Sequence, residues 1–143
     1  MATLEFSFMS IEQKLYNSAR ELIERRYPNG WGGAAAVAIE GGSILTSVAP
    51  EITNEALSLC MEVGALLEAN KLEKRVTHSL CMYRKNEENE FIILSPCGIC
   101  QERLIYWGGN VQVAITNPNN KLEFLSLKQL MPHHWSQVNG AEF

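Results

Sequence analysis

The chain has 143 residues, 46% of them apolar, which is enough for one packed core and too short for two ordinary domains, so residues 1–143 read as a single domain. A net charge of −4 and a pI near 5.4 argue against a broad electrostatic grip on nucleic acid, which needs clustered Lys and Arg, and favour a small-molecule partner. No apolar run approaches the roughly 20 residues of a membrane span, and the N-terminal MATLEFSFMSIEQK lacks a basic stretch leading into an apolar core, so the sequence predicts a soluble, cytoplasmic protein with no membrane partner.

Ser10 and Gln13 form a capping-box pattern, and Ile11, Leu15, Ala19, Leu22 and Ile23 fall on one helical face up to a stop at Tyr27-Pro28-Asn29-Gly30. Ala34 to Ile39 and Ser43 to Val48, divided by Gly41-Gly42, have the pattern of a strand hairpin, with a loop following over 49–54. From about Ala56 to Asn70, the residues Leu59, Val63, Leu66 and Leu67 recur at helical spacing, which places Cys60 and Glu62 in the first turn or so of a second helix. Arg75 to Tyr83 alternates like a strand, 85–90 is a charged turn, and Phe91 to Leu94 is a short apolar strand. Ser95-Pro96 opens a third helix, Cys97 to about Trp107, which Gly108-Gly109 stops. Val111 to Thr116 and Lys121 to Leu125 read as strands about the turn 117–120, and Leu127 to Met131 as a helical turn before Pro132. Helices alternating with strands predict an α/β fold, a three-layer sandwich around one mixed sheet.

Four cysteines without a secretory signal are better read as thiols or metal ligands than as disulfides. Cys97-Gly98-Ile99-Cys100, three residues apart at a helix start, sets two sulfurs on one side of a first turn, where they can clamp one ion. Cys60-Met61-Glu62 supplies a third sulfur and, two residues on, a carboxylate that need not bind metal. Three protein ligands leave the fourth tetrahedral position of zinc open for water, as in a catalytic site, and Glu62 can take and pass on a proton. The competing reading is a zinc knot that only stabilises the fold; that would call for a fourth ligand and has no use for Glu62. Cys81, in a strand with no partner spacing, reads as a core thiol, and His133 and His134 as solvated surface.

Residues 60–62 together with Ser95-Pro96-Cys97-Gly98-Ile99-Cys100 resemble the cytidine deaminase family, and more narrowly its short-chain, three-cysteine zinc branch that includes blasticidin-S deaminase-like proteins. The resemblance runs from about Trp31 to Trp135. It implies a cytidine deaminase-like fold with a mixed five-stranded sheet, Zn2+ as cofactor, and hydrolytic deamination of a cytosine-type ring with Glu62 as the proton carrier. Short chains of this family assemble as homotetramers that share active sites, so a homotetramer, or a homodimer, is implied here too.

The resemblance also assigns substrate contacts. Trp31 falls where the family sets a phenylalanine beside the substrate, and the backbone around Ser95 and Pro96 is implied to meet the pyrimidine amino group. Glu51 matches the glutamate of an Asn-x-Glu-Asn sugar-binding segment that reads Ala49-Pro50-Glu51-Ile52 here, and Ala49 lacks the hydrogen bond an asparagine gives a ribose hydroxyl, worth about 0.5–1.5 kcal/mol. Leu130-Met131-Pro132-His133-His134-Trp135 resembles the family's Leu-Leu-Pro-x-x-aromatic ending, which implies a stacking role for Trp135 in a neighbouring subunit's site. Two family arginines are replaced, by Val63 after the glutamate and by Gln101 after the last cysteine, so the thiolate charge must be offset differently. Cytidine or deoxycytidine, blasticidin S or another cytosine-bearing antibiotic, and a non-catalytic zinc scaffold are the readings that follow.

Overall fold

The computed structural model describes residues 8–140; the first residues of the N-terminal stretch read for a targeting signal lie outside them. Helix α1 (Ile11–Arg26) starts where the Ser10 side chain accepts the Gln13 N–H, and it buries Leu15, Ala19 and Ile23. It packs on the strand pair β1 (Gly32–Ile39) and β2 (Ile44–Ser47), an antiparallel hairpin turned at Gly41 and Gly42, both at φ near +90°, where a side chain would be strained. The remaining elements are α2 (Val63–Lys71), β3 (Val76–Arg84), β4 (Ile92–Leu94), α3 (Gly98–Leu104), β5 (Gln112–Ala114), β6 (Phe124–Ser126) and α4 (Leu127–Leu130).

The sheet runs β2-β1-β3-β5-β6, with β4 also paired to β3. β3 meets β1 along one edge; on its other edge β5 pairs parallel at His78 and Ser79, and β4 antiparallel from Cys81 to Tyr83. The expected mixed sheet is thus five positions wide, the sixth short strand sharing an edge with β5.

Alternation along β1 feeds two cores. Ala34, Ala36 and Ala38 face α1 with Leu80, Met82 and Ile93, whereas Val37 and Ile39 face Ala65, Leu66 and Ala69 of α2 together with Leu104 of α3. Helices therefore cover both faces, giving the predicted three layers. Small residues on β1 let the helix come close: a Cβ on Gly32 would stand 2.8 Å from both Ile23 Cγ2 and Tyr27 Cβ. Among the described residues no helix is long and apolar enough to cross a membrane.

The second helix begins later than the sequence predicts. Glu55–Leu57 is a separate 3-10 turn capped by Asn54, residues 58–60 are not helical, and the α-helix starts at Val63 with Glu62 as its N-cap residue. Val63 and Leu66 are buried, whereas Leu59 and Leu67 are exposed at 46% and 63%, so neither of these two belongs to the buried face that the helical spacing predicts.

Candidate metal centre

Two chain entrances to helices converge here. Cys60 precedes α2, and the Cys60 carbonyl accepts the Val63 N–H at 3.2 Å, which folds Met61 and Glu62 into a turn. That turn is anchored by the Ser47 hydroxyl, which donates to the Met61 carbonyl at 2.6 Å. Cys97 is the N-cap residue of α3, and Cys100 lies in its first turn, fully buried. The approach to α3 is fixed by Ser95, whose N–H donates to Thr116 Oγ1 at 2.9 Å while its Oγ accepts the Thr116 N–H at 2.8 Å. Asn120 holds the preceding strand, donating to the Phe91 carbonyl and accepting from the Ile93 N–H.

The Sγ atoms of Cys60, Cys97 and Cys100 all lie within 4.8 Å of one another, those of Cys60 and Cys97 being 3.3 Å apart. A tetrahedral zinc with Zn–S bonds near 2.3 Å sets its sulfurs roughly 3.8 Å apart, between those two values, so the donor set fits a soft dication in size and chemistry. Glu62 stands outside this group of sulfurs.

The thiols differ electrostatically. Burial raises the Cys97 pKa, but N–H groups of Cys100 and Ile99 and the Cys60 thiol outweigh it, and the pKa falls below the ordinary thiol value. Burial pushes the Cys60 thiol up, as does its hydrogen bond with Cys97. Burial pushes Cys100 up strongly, the negative charge of Glu62 adds to this, and a hydrogen bond from Arg103 pulls it back.

A cavity of about 240 Å3 opens beside the sulfurs, walled by Trp31, Met61, Glu62, Cys81, Ser95 and Cys97 among others. Glu62 is 3% exposed, so its carboxylate is set within the protein rather than on its surface. Trp31 packs edge-on to Tyr27 and sits above Gly33, where a Cβ would stand 2.6 Å from Met61 Sδ. Cys81 is the core thiol predicted, and it also borders this cavity next to Glu62.

The other predicted contacts lie further off. Glu51 borders an adjoining space of about 420 Å3 that shares Ala49, Leu59 and Cys60 with the first, and its Oε1 is 2.7 Å from Arg26 Nη2. Trp135 is 72% exposed and is not part of either wall; its indole N–H donates to Glu102 Oε1 at 3.3 Å. His133 is exposed as expected, but His134 is buried, with Nε2 2.6 Å from Glu102 Oε1 and Nδ1 2.7 Å from Ser136 Oγ. The solvated reading of His134 is corrected by this docking of the C-terminal segment on α3. Sequence reasoning passed over Arg103, whose i+3 spacing from Cys100 on a helix was the available signal.

The layered fold and the three clustered thiols, which could hold a metal ion, are those of the deaminase class. No family model and no curated protein matches the sequence. Among solved structures, the chain is 56% identical to the cytidine deaminase from Bacillus anthracis over 91% of this chain and 93% of that one, with a TM-score of 0.89. The cytidine deaminases from Burkholderia pseudomallei (21% identity, 89% and 100% covered, TM-score 0.68) and Mycobacterium leprae (21%, 85% and 97%, 0.64) share the fold. The chain belongs to the cytidine deaminase family.

Proposed function

We propose that this single-domain protein is a zinc-dependent hydrolytic deaminase that converts a cytosine-type nucleoside, cytidine or deoxycytidine, to its uracil-type product with release of ammonia. One observation carries the reading: three sulfurs within 4.8 Å of one another, beside a cavity into which a buried glutamate is built. Cys60, Cys97 and Cys100 hold the ion, which when bound supplies a Lewis acid with an open position for water.

Glu62 moves the protons. A carboxylate oxygen takes one from the attacking water and delivers it to ring N3, then carries the second from the new C4 hydroxyl to the departing amine, so that water oxygen replaces the amino group at C4 as a carbonyl and ammonia leaves. Burial of Glu62 keeps bulk water from competing for that proton. Trp31 and Ser95, both on the cavity wall, would meet the ring and its amino group in this reading, and Glu51, which borders the adjoining space, would meet the sugar. Trp135, solvent-exposed in one chain, serves the site of a neighbouring subunit in a homotetramer. Nucleoside salvage in the cytoplasm is the setting this activity fits.

Glu62→Gln is expected to fold and hold zinc as the parent does while ammonia release from cytidine falls by about 100-fold or more. Retained turnover would refute the assigned proton role, and a zinc-loaded parent that releases no ammonia from any amino-heterocycle would make the protein a scaffold. A second reading, deamination of blasticidin S or a related cytosine-bearing antibiotic, is favoured by Ala49 and by the Arg26–Glu51 pair, which engages the carboxylate a ribose would need. Rates on cytidine, deoxycytidine and blasticidin S side by side separate the two.

A further inference from the structure

Resting on the zinc reading above, the charge of its ligand set poses a definite problem. Three thiolates against a dication leave one net negative charge, and Glu62 adds a carboxylate to the same cavity. An electron-rich cluster of this kind is a weak Lewis acid unless a cation or hydrogen-bond donors draw charge off the sulfurs. The two residues that follow the ligand motifs carry no charge: Val63 is buried in α2, and the Gln101 amide donates to the Pro96 carbonyl at 2.8 Å.

Arg103 is placed to do it. Residues 100 and 103 share a face of α3, and Arg103 Nη1 lies 3.4 Å from Cys100 Sγ, within hydrogen-bonding reach of a sulfur. Cys100 is fully buried whereas Arg103 is exposed, so the guanidinium reaches in from the surface and covers the one sulfur that solvent cannot.

We propose that Arg103 is a positioning residue that acts through Cys100, drawing charge from the three-cysteine cluster and so preserving the power of the bound metal to activate water. It takes over, from a different helical position, compensation that neither Val63 nor Gln101 can give.

The test uses the full chain with cobalt(II) in place of zinc, because cobalt–thiolate coordination has its own charge-transfer absorption that reads sulfur electron density without turnover. Arg103→Gln should move that band to lower energy and, in the zinc protein, lower kcat by roughly 10- to 100-fold with KM little changed. Arg103→Lys, which keeps the charge, should restore most of both. An unmoved band and kcat in Arg103→Gln overturn the inference, as does an Arg103→Lys protein no better than Arg103→Gln. A parent protein that shows no cobalt–thiolate band at all overturns the metal reading itself, an outcome distinct from failure of the Arg103 role alone.

Discussion

The Ser47 hydroxyl, at the end of β2, donates a 2.6 Å hydrogen bond to the Met61 carbonyl, in the turn that separates Cys60 from Glu62. The same serine sets how closely α2 can approach, since a Cβ on Gly64 would stand 2.9 Å from Ser47 Cβ. Ser47→Ala leaves a part-buried carbonyl without its partner and is expected to cost about 1 kcal/mol, a fall in Tm of roughly 2–4 °C. Gly64→Ala, which in an open helix would add about 0.5–1 kcal/mol, should destabilise here instead. Thermal unfolding of the two variants checks both signs, and a stabilised Gly64→Ala would mean that α2 is not seated against β2 at this distance.

Metal removal should leave thiols of unequal reactivity. Cys97 is exposed and has a lowered pKa, whereas Cys81 and Cys100 are buried with pKa values pushed up by that burial. Iodoacetamide at neutral pH is therefore expected to label Cys97 first in chelator-treated protein and Cys81 and Cys100 last, with zinc protecting Cys97. Mass spectrometry of the time course reads the order, and early labelling of Cys100 would contradict the burial described.

Cys100→Ala tests ligation and stability together. It removes one sulfur from the cluster and a fully buried side chain from α3, so both metal content and unfolding free energy should fall in the same protein. Zinc titration followed by calorimetry is the measurement: added zinc raises the Tm of the parent and should leave that of the variant nearly unmoved.

The three-cysteine group that could hold a metal ion was legible because each part of it sits beside a local signal, Ser95-Pro96 before one helix and a two-residue step to Glu62 before the other. The layers followed from alternation in β1 and the 3.6-residue period of α1, both local patterns. What periodicity missed was tertiary. The start of α2 slipped because an exposed leucine at 59 mimics a core position, and His134 is buried only because Glu102, 32 residues earlier, faces it across the docked C-terminal segment. The Arg26–Glu51 contact likewise spans 25 residues and has no local mark.

That contact should matter for selectivity rather than for folding. Arg26 and Glu51 have side-chain exposures of 44% and 79%, and an ion pair in that setting contributes about 0–1 kcal/mol. Arg26→Ala is expected to leave the Tm within a degree or two and to release Glu51 toward the adjoining space. Steady-state kinetics should then show a lower KM for cytidine with kcat unchanged. A KM that does not move would place Glu51 outside sugar recognition.

His78 gives the fold a pH dependence of its own. Its ring packs edge-on to Phe124 at 5.9 Å between centroids, with Nε2 4.0 Å from Glu12 Oε1. Burial lowers its pKa below the ordinary value of 6.5, and Glu12 recovers only part of the shift. The folded protein thus holds its proton less tightly than the unfolded chain, and stability rises with pH. The contribution is complete above about pH 6.5 and is lost as pH falls from there toward the folded-state pKa. Urea unfolding of the parent at about pH 7.5 and about pH 5.5 should show this loss, and His78→Gln should show a smaller one over the same interval. Equal losses in the two proteins would assign the dependence to another group, since nothing else at position 78 titrates in this range.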